Sequence, residues 1–254
     1  VIWLRRHNGN NEVRLHDLGT GTKKSVQPQN ISWINAVPIL HGNKLYWHGY
    51  VYGDGYWDYS GNGIIESDID TGKPKLVVQA NPYWPYYNTP NWAQQFGRPS
   101  AFDTDGSRVI WAEYQGSHVV LKVKKLGTDA EPKVFAQQEG LDFMHPALRG
   151  EAVVWKSYVR DEGCNDKQCE LTLRSTWQND TPQMMSEGVA EPTRYSPLTL
   201  DGDYAYWLDF RGGPYAVYRR NLSKADAEDE RLTSSEALLS AHAPVSAHEG
   251  RLVW

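Results

Sequence analysis

The chain repeats itself, and the repeat constrains its fold more than any other feature. A short hydrophobic cluster ending in Trp occurs as Leu45-Tyr46-Trp47, Val109-Ile110-Trp111, Val153-Val154-Trp155, Ala205-Tyr206-Trp207 and Leu252-Val253-Trp254. A Gly precedes each cluster, at Gly42, Gly106, Gly150, Gly202 and Gly250, with a Gly-to-Trp step of 5, 5, 5, 5 and 4 residues. A Pro lies upstream of each Gly, at Pro38, Pro99, Pro146, Pro197 and Pro244. Val1-Ile2-Trp3 reads as a further copy with its front half missing. Successive Trp are 44, 64, 44, 52 and 47 residues apart. Self-similarity at that period marks a chain built from stacked supersecondary units.

The second half of each unit repeats as well. Residues 11–18, 63–69, 118–126, 170–177 and 215–222 read as strands. A turn follows each, three of them Gly-Thr or Thr-Gly, and then a short final strand at 23–26, 75–79, 133–136, 183–186 and 231–233. Helical periodicity is nearly absent; only 224–230 and 235–240 have room for a helical turn. Four short strands per unit of roughly 40–50 residues predict an all-β propeller of four-stranded blades. The repeat periods fall at about 1–35, 36–96, 97–143, 144–194, 195–241 and, in part, 242–254, all within a single propeller domain. Both ends carry the same strand, ending in Trp3 or Trp254, so a five-bladed ring would hold one strand twice. The expectation is therefore six or more blades in the intact protein, with this chain a piece of a larger chain or assembly.

The pattern Pro…Gly-x-x-hydrophobic-x-Trp…Asp-x-x-Thr-Gly resembles the TolB-like, WD-related repeats of bacterial secreted propellers. The stretch Pro197-Leu-Thr-Leu-Asp-Gly-Asp-Tyr-Ala-Tyr-Trp-Leu-Asp-Phe-Arg-Gly-Gly carries the resemblance best. The resemblance covers the whole chain and implies architecture only. The superfamily includes periplasmic scaffolds, substrate-gating domains of oligopeptidases and polysaccharide lyases, and a fold does not choose among them. The chain contains no Gly-x-Ser-x-Gly nucleophile elbow.

Composition removes other classes. Lys+Arg number 26 against Asp+Glu 31, a net charge of -5, which argues against nucleic acid as a partner. No apolar run is long enough to span a membrane as a helix. The 11 Trp and 15 Tyr beside only 5 Phe favour strands and ligand platforms over helix cores.

In a propeller the blade-to-blade connections and the hairpins between second and third strands share one face. Three insertions map there: 48–62, 80–96 and 160–169. Long loops gathered on one rim commonly carry function. The first two hold Tyr52, Tyr56, Trp57, Tyr59, Tyr83, Trp84, Tyr86, Tyr87 and Trp92. Such rings stack on sugars, prolines or other aromatics while still meeting water; alternatively they pack the loops themselves. The predicted partner is a protein or glycan ligand, held without cofactor or metal. A second candidate is the channel mouth, lined by residues just before each first strand: Asn35, Arg98, His145, Arg194, Tyr195 and His242. A lyase acting on a uronic acid needs a base for the C5 proton, a cation for the carboxylate and an acid for the leaving oxygen. His145 or His242, Arg98 and Tyr195 are the candidates for those roles. Asp103-Thr-Asp105-Gly106 begins like a calcium loop but lacks the later ligands, and reads better as a tight turn. Cys164 and Cys169 lie in one hairpin insertion. A disulfide between them would place the protein in the periplasm, at the cell surface or in the medium.

Overall fold

The computed structural model describes residues 2–7, 10–17, 19–26, 31–34, 38–52, 59–79, 102–115, 118–137, 141–159, 170–176, 183–188, 198–209, 214–224, 226–234, 239 and 245–253. They form twenty-two strands in six antiparallel sheets. Sheet I is β1 (Ile2–His7), β2 (Asn10–His16) and β3 (Lys23–Val26). Sheet II is β4 (Ile31–Ile34), β5 (Ile39–His41), β6 (Lys44–Tyr52), β7 (Tyr59–Asp68) and β8 (Pro74–Gln79). Sheet III is β9 (Phe102–Thr104), β10 (Arg108–Gln115), β11 (His118–Lys125) and β12 (Lys133–Ala136). Sheet IV is β13 (Leu141–Arg149), β14 (Ala152–Val159), β15 (Glu170–Thr176) and β16 (Gln183–Gly188). Sheet V is β17 (Thr199–Asp201), β18 (Tyr204–Asp209), β19 (Ala216–Asn221) and β20 (Glu230–Arg231), and sheet VI is β21 (Ser246–His248) and β22 (Arg251–Val253). Within each sheet the strands follow one another in chain order, as meanders, except in sheet II, where β4 and β5 both pair β6.

The core is a series of sheet-on-sheet interfaces, and strand alternation builds them. On β10, Val109 and Trp111 face sheet II, packing with Tyr46, Ile64 and Val78. Ile110 and Ala112, one residue out of phase, face sheet IV and pack with Leu148, Val153 and Trp155. The same division recurs on β6, where Trp47 joins Val13 and Leu15 of sheet I, and on β18, where Trp207 joins Ala147 and Val154 of sheet IV. Trp47, Trp111, Trp155 and Trp207 therefore occupy one position, on the second strand and against the preceding sheet, each at most 1% exposed. Burying a ring of that size contributes on the order of 3 kcal/mol.

The motif glycines sit in the turns between first and second strands. Gly106 has φ 80, and a Cβ there would lie 2.1 Å from His41 Cδ2 of sheet II, so the residue is needed both for its backbone and for a neighbour's approach. In sheet VI the turn is Glu249-Gly250, with φ 49 and 73. The Gly has moved to the second turn position, which accounts for the shorter step to Trp254. These turns are laced from sheet to sheet. The Asp103 carboxylate accepts from Leu148 N at 2.7 Å, and Arg108 donates to the carbonyl of Gly150. Asp201 accepts from Glu249 N at 3.1 Å and Gly250 N at 2.6 Å. Burial pushes the Asp103 carboxyl up to about 6, against the pull of its backbone donors. Asp105 closes its own turn, accepting from Ser107 N at 3.0 Å and Arg108 N at 2.9 Å, as a tight turn requires.

Residues 31–34, to which the repeat pattern assigns no strand, form β4, which joins β6 beside β5. The reason is the length of β6: its first half pairs β5 and its second half is left free for another strand. Of residues 224–230, 226 lies in a turn and Glu230 opens β20, while residue 225 and most of 235–240 lie outside the described residues.

Candidate functional site

The expected aromatic hairpin 48–62 is largely ladder, not loop. β6 and β7 pair continuously from Lys44↔Asp68 to Tyr52↔Tyr59, with one register shift after Val51. Only 53–58 remain to join them. β4 pairs the same stretch of β6 from the other side, Ile31↔Val51 and Ile34↔Gly49. β6 and β7 run 9 and 10 residues, whereas β18 and β19 of sheet V run 6 each. Sheet II thus carries a three-stranded ladder of β4, β6 and β7 in which Tyr52 and Tyr59 pair opposite one another. Backbone ladders hold side chains more precisely than open loops do. Tyr56, Trp57, Tyr83, Trp84, Tyr86, Tyr87 and Trp92 lie outside the described residues.

The channel-mouth candidates divide similarly. Asn35, Arg98, Arg194, Tyr195 and His242 lie outside the described residues. His145 does not precede its first strand, as the sequence reading has it. It lies inside β13, which pairs β14 on both sides of a register shift between Met144 and Ala147. Pro146 lacks a ladder donor, and a bulge absorbs that loss without ending the strand. Cys164 and Cys169 also lie outside the described residues.

A layer of buried and half-buried polar side chains, without a counterpart in the sequence expectations, sits just past the motif Trp on the second strands. Its signal in the sequence is the residue one or two places after each Trp: His48, Glu113, Lys156, Ser157 and Asp209. His48, Lys156, Ser157 and Asp209 are at most 2% exposed. Strand alternation sets His48 and Glu113 on opposing faces of the interface between sheets II and III, and Lys156 and Asp209 on opposing faces of that between IV and V. Trp111 Nε1 donates to Glu113 Oε2 at 2.7 Å, and Lys122 Nζ donates to Glu113 Oε1 at 2.8 Å. Trp207 Nε1 donates to Asp209 Oδ2 at 3.3 Å. This layer lies between the apolar core and the hairpins joining second and third strands. It fixes polar groups in a dry environment where each hydrogen bond is strong and an unpaired group is costly. Each of these bonds ties residues of one sheet together beneath that face. Among the described residues no three His, Cys, Asp or Glu converge as a metal site. None forms a helix long and apolar enough to cross a membrane.

No protein-family model matches the sequence, and no curated protein does. The fold has clear counterparts among solved structures. TolB from Acinetobacter baumannii matches 94% of this chain with a TM-score of 0.58 at 14% identity. A structure of the nidogen/laminin complex matches 99% of this chain and 83% of its own, with TM-score 0.55 and 14% identity. Oligogalacturonate lyase from Vibrio parahaemolyticus matches 92% of this chain and 63% of its own, at TM-score 0.53 and 13% identity. All are β-propellers, and this chain shares their fold, as its repeat led one to expect. The chain spans 54% of the TolB structure, about half its length.

Proposed function

We propose that this chain is a non-enzymatic binding propeller working outside the cytoplasm, in the periplasm, at the cell surface or in the medium. Its partner is a protein or a glycan, and its binding face carries the residues 48–62 and 80–96. The ring of the intact protein takes six or more blades. The observation that carries the reading is the ladder of β4, β6 and β7 in sheet II, which holds Tyr50, Tyr52 and Tyr59 on paired strands rather than in an open loop. Charge supports it. Residues 48–62 and 80–96 contain no Lys or Arg but do contain Asp54 and Asp58. A neutral sugar or a protein suits such a surface better than a polyanion does. Buried aromatic anchors of this type contribute about 2 kcal/mol each when they are hot spots.

One observation favours a second reading, a polysaccharide lyase. His145 sits at a bulge of an inner strand, and bulges re-aim side chains next to active sites. Arg98, Tyr195 and His242 would complete the machinery. A single pair of measurements separates the two: an ultraviolet assay for unsaturated uronate on a panel of polyuronides, beside glycan-array and pull-down screens. The binding reading expects no turnover, and a partner lost in Trp57→Ala or Trp84→Ala. Turnover abolished by His145→Ala or His242→Ala would replace it with the lyase. Unchanged binding in both Trp variants would move the partner off this face.

A further inference from the structure

The residue two places after each motif Trp lies on the same face as the ring, because strand side chains alternate with a period of two. In sheets III and V that residue is a carboxylate, and it takes the indole N–H: Glu113 for Trp111 at 2.7 Å and Asp209 for Trp207 at 3.3 Å. In sheet II the position is Gly49. Trp47 is 0% exposed, and its Nε1 has no hydrogen-bond partner. A buried donor left unpaired forfeits its desolvation energy, so sheet II keeps an indole here at a loss.

The missing side chains beside it are two. Gly49 pairs with Gly63 of β7, and cross-strand pairs share a face. Both glycines are buried, and neither has the positive φ that would require glycine. Glycine inside a strand marks a place where another group approaches the backbone closely. Here the pair leaves a bare floor next to the indole. On the core side the surroundings are apolar, since Trp47 packs with Val13, Leu45 and Ile65. Ile65 pairs opposite Trp47, whereas Lys122 stands opposite Trp111 and neutralises Glu113. An anionic acceptor beside Trp47 would meet no cation from that position, and burying it unpaired is costly. A neutral carbonyl meets the donor without that cost.

We propose that Trp47 Nε1 and the Gly49–Gly63 floor form a subsite, between sheets I and II, for the acetamido group of an N-acetylated sugar. The carbonyl accepts from Trp47. The methyl, which needs no hydrogen bond, rests against Ile65 and the glycine floor. An acetamido group hangs from its sugar ring as a side chain hangs from a strand, so it enters a gap of side-chain depth. The carbonyl of a peptide main chain does not reach so far, and a side-chain amide would bring N–H donors into apolar surroundings. Water is a poor occupant, because it wants two to four polar partners. The inference rests on the reading of residues 48–62 as part of a binding face, and narrows its ligand to a glycan bearing N-acetyl groups.

The indole N–H resonances of isotopically labelled Trp test it, with the Trp47 signal assigned from Trp47→Phe. Titration with N,N′-diacetylchitobiose is expected to move the Trp47 signal saturably. The signals of Trp111 and Trp207, whose donors are already taken, are expected to stay in place. Cellobiose, which has hydroxyls where the other sugar has acetamido groups, is expected to move none. Trp47→Phe keeps a ring but no donor and should weaken binding about tenfold, the loss of one hydrogen bond to a neutral acceptor. Gly49→Ala, a smaller change that the backbone accepts, should weaken it at least as much by filling the floor. A Trp47 shift with cellobiose as well, no shift with either sugar, or full affinity in both variants would overturn the subsite. The binding face has its own readout. If a partner is still lost in Trp57→Ala or Trp84→Ala, the face of residues 48–62 and 80–96 stands while the subsite falls.

Discussion

Trp111 donates its indole N–H to Glu113, two residues along the same strand and on the same side of the sheet, at 2.7 Å. The carboxylate also takes Lys122. A ring that is 1% exposed can therefore bury its polar edge at no loss. Asp209 does the same for Trp207 at the equivalent position of sheet V. Replacing Glu113 by Ala would leave the buried indole donor and the Lys122 ammonium unpartnered by that carboxylate. The expected cost is about 2–3 kcal/mol, since orphaning a buried donor forfeits its full desolvation energy. Glu113→Gln keeps an acceptor for Trp111 and should cost about 1 kcal/mol, chiefly the charge on Lys122. Urea unfolding of the three proteins gives both numbers, and equal stabilities would mean the indole finds water instead.

Much of this was legible in the sequence, and the division has physical causes. The four Trp announce their shared position because a strand period of two and a fixed turn leave only one place for a large ring against the preceding sheet. The turn glycines were legible for the same reason, as each needs a positive φ. The β6–β7 hairpin of sheet II reads as loop in the sequence, because Gly49, Gly61 and Gly63 look like loop composition. Gly49 stands in β6, which β4 and β7 pair from both sides, and Gly61 and Gly63 stand in β7. His145 was misplaced because a Pro normally argues against continuing a strand. The layer of buried His48, Lys156 and Asp209 and half-buried Glu113 is not legible in the sequence, because polar residues past a strand's hydrophobic cluster read as solvated ends. Only the facing sheet turns them inward.

Asp103 gives a pH dependence of definite sign. Burial raises its folded pKa to about 6 from an ordinary value of 3.8, so the folded state holds this proton more tightly than the unfolded chain does. Its contribution to stability is therefore fully present below about pH 4, is lost as pH rises towards 6, and stays absent above that. The amplitude is on the order of 3 kcal/mol. The ions that bear on it are Asp105, which raises the value, and Arg149, which lowers it. Asp103→Asn retains an acceptor for Leu148 N and carries no charge to bury. The variant should gain stability over wild type at pH 7 and should show a smaller advantage at pH 4. A difference between the two proteins that does not change across this window would contradict the raised pKa.

Glu249 is the only described residue other than Gly with a positive φ. A side chain in that region costs about 1–2 kcal/mol, and Gly removes the cost while loosening the unfolded chain. Glu249→Gly should therefore raise stability by about 0.5–1 kcal/mol. The backbone N–H that Asp201 accepts is kept, and the exposed pairing of His248 with Glu249 at 3.9 Å is too long to offset the gain. A loss of stability would show that the Glu249 side chain makes a contribution larger than its strain.

Gly106 and Gly42 are equivalent in the repeat but not in their surroundings, and this yields a sharper test. Both have positive φ, at 80 and 57, so an Ala at either is strained by about 1 kcal/mol or more. At Gly42 nothing lies within 4 Å of the added methyl. At Gly106 the methyl would enter the ring of His41 from the neighbouring sheet. Gly106→Ala must therefore cost more than Gly42→Ala, the excess being the displacement of His41 from the contact that joins sheets II and III. That excess should vanish in a His41→Ala background, while the backbone strain persists. A double-mutant cycle between positions 41 and 106 isolates the term. A coupling near zero would mean that the exposed imidazole simply swings aside, and that the seam between these sheets rests on the apolar cluster of Tyr46, Ile64, Val78, Phe102, Val109 and Trp111.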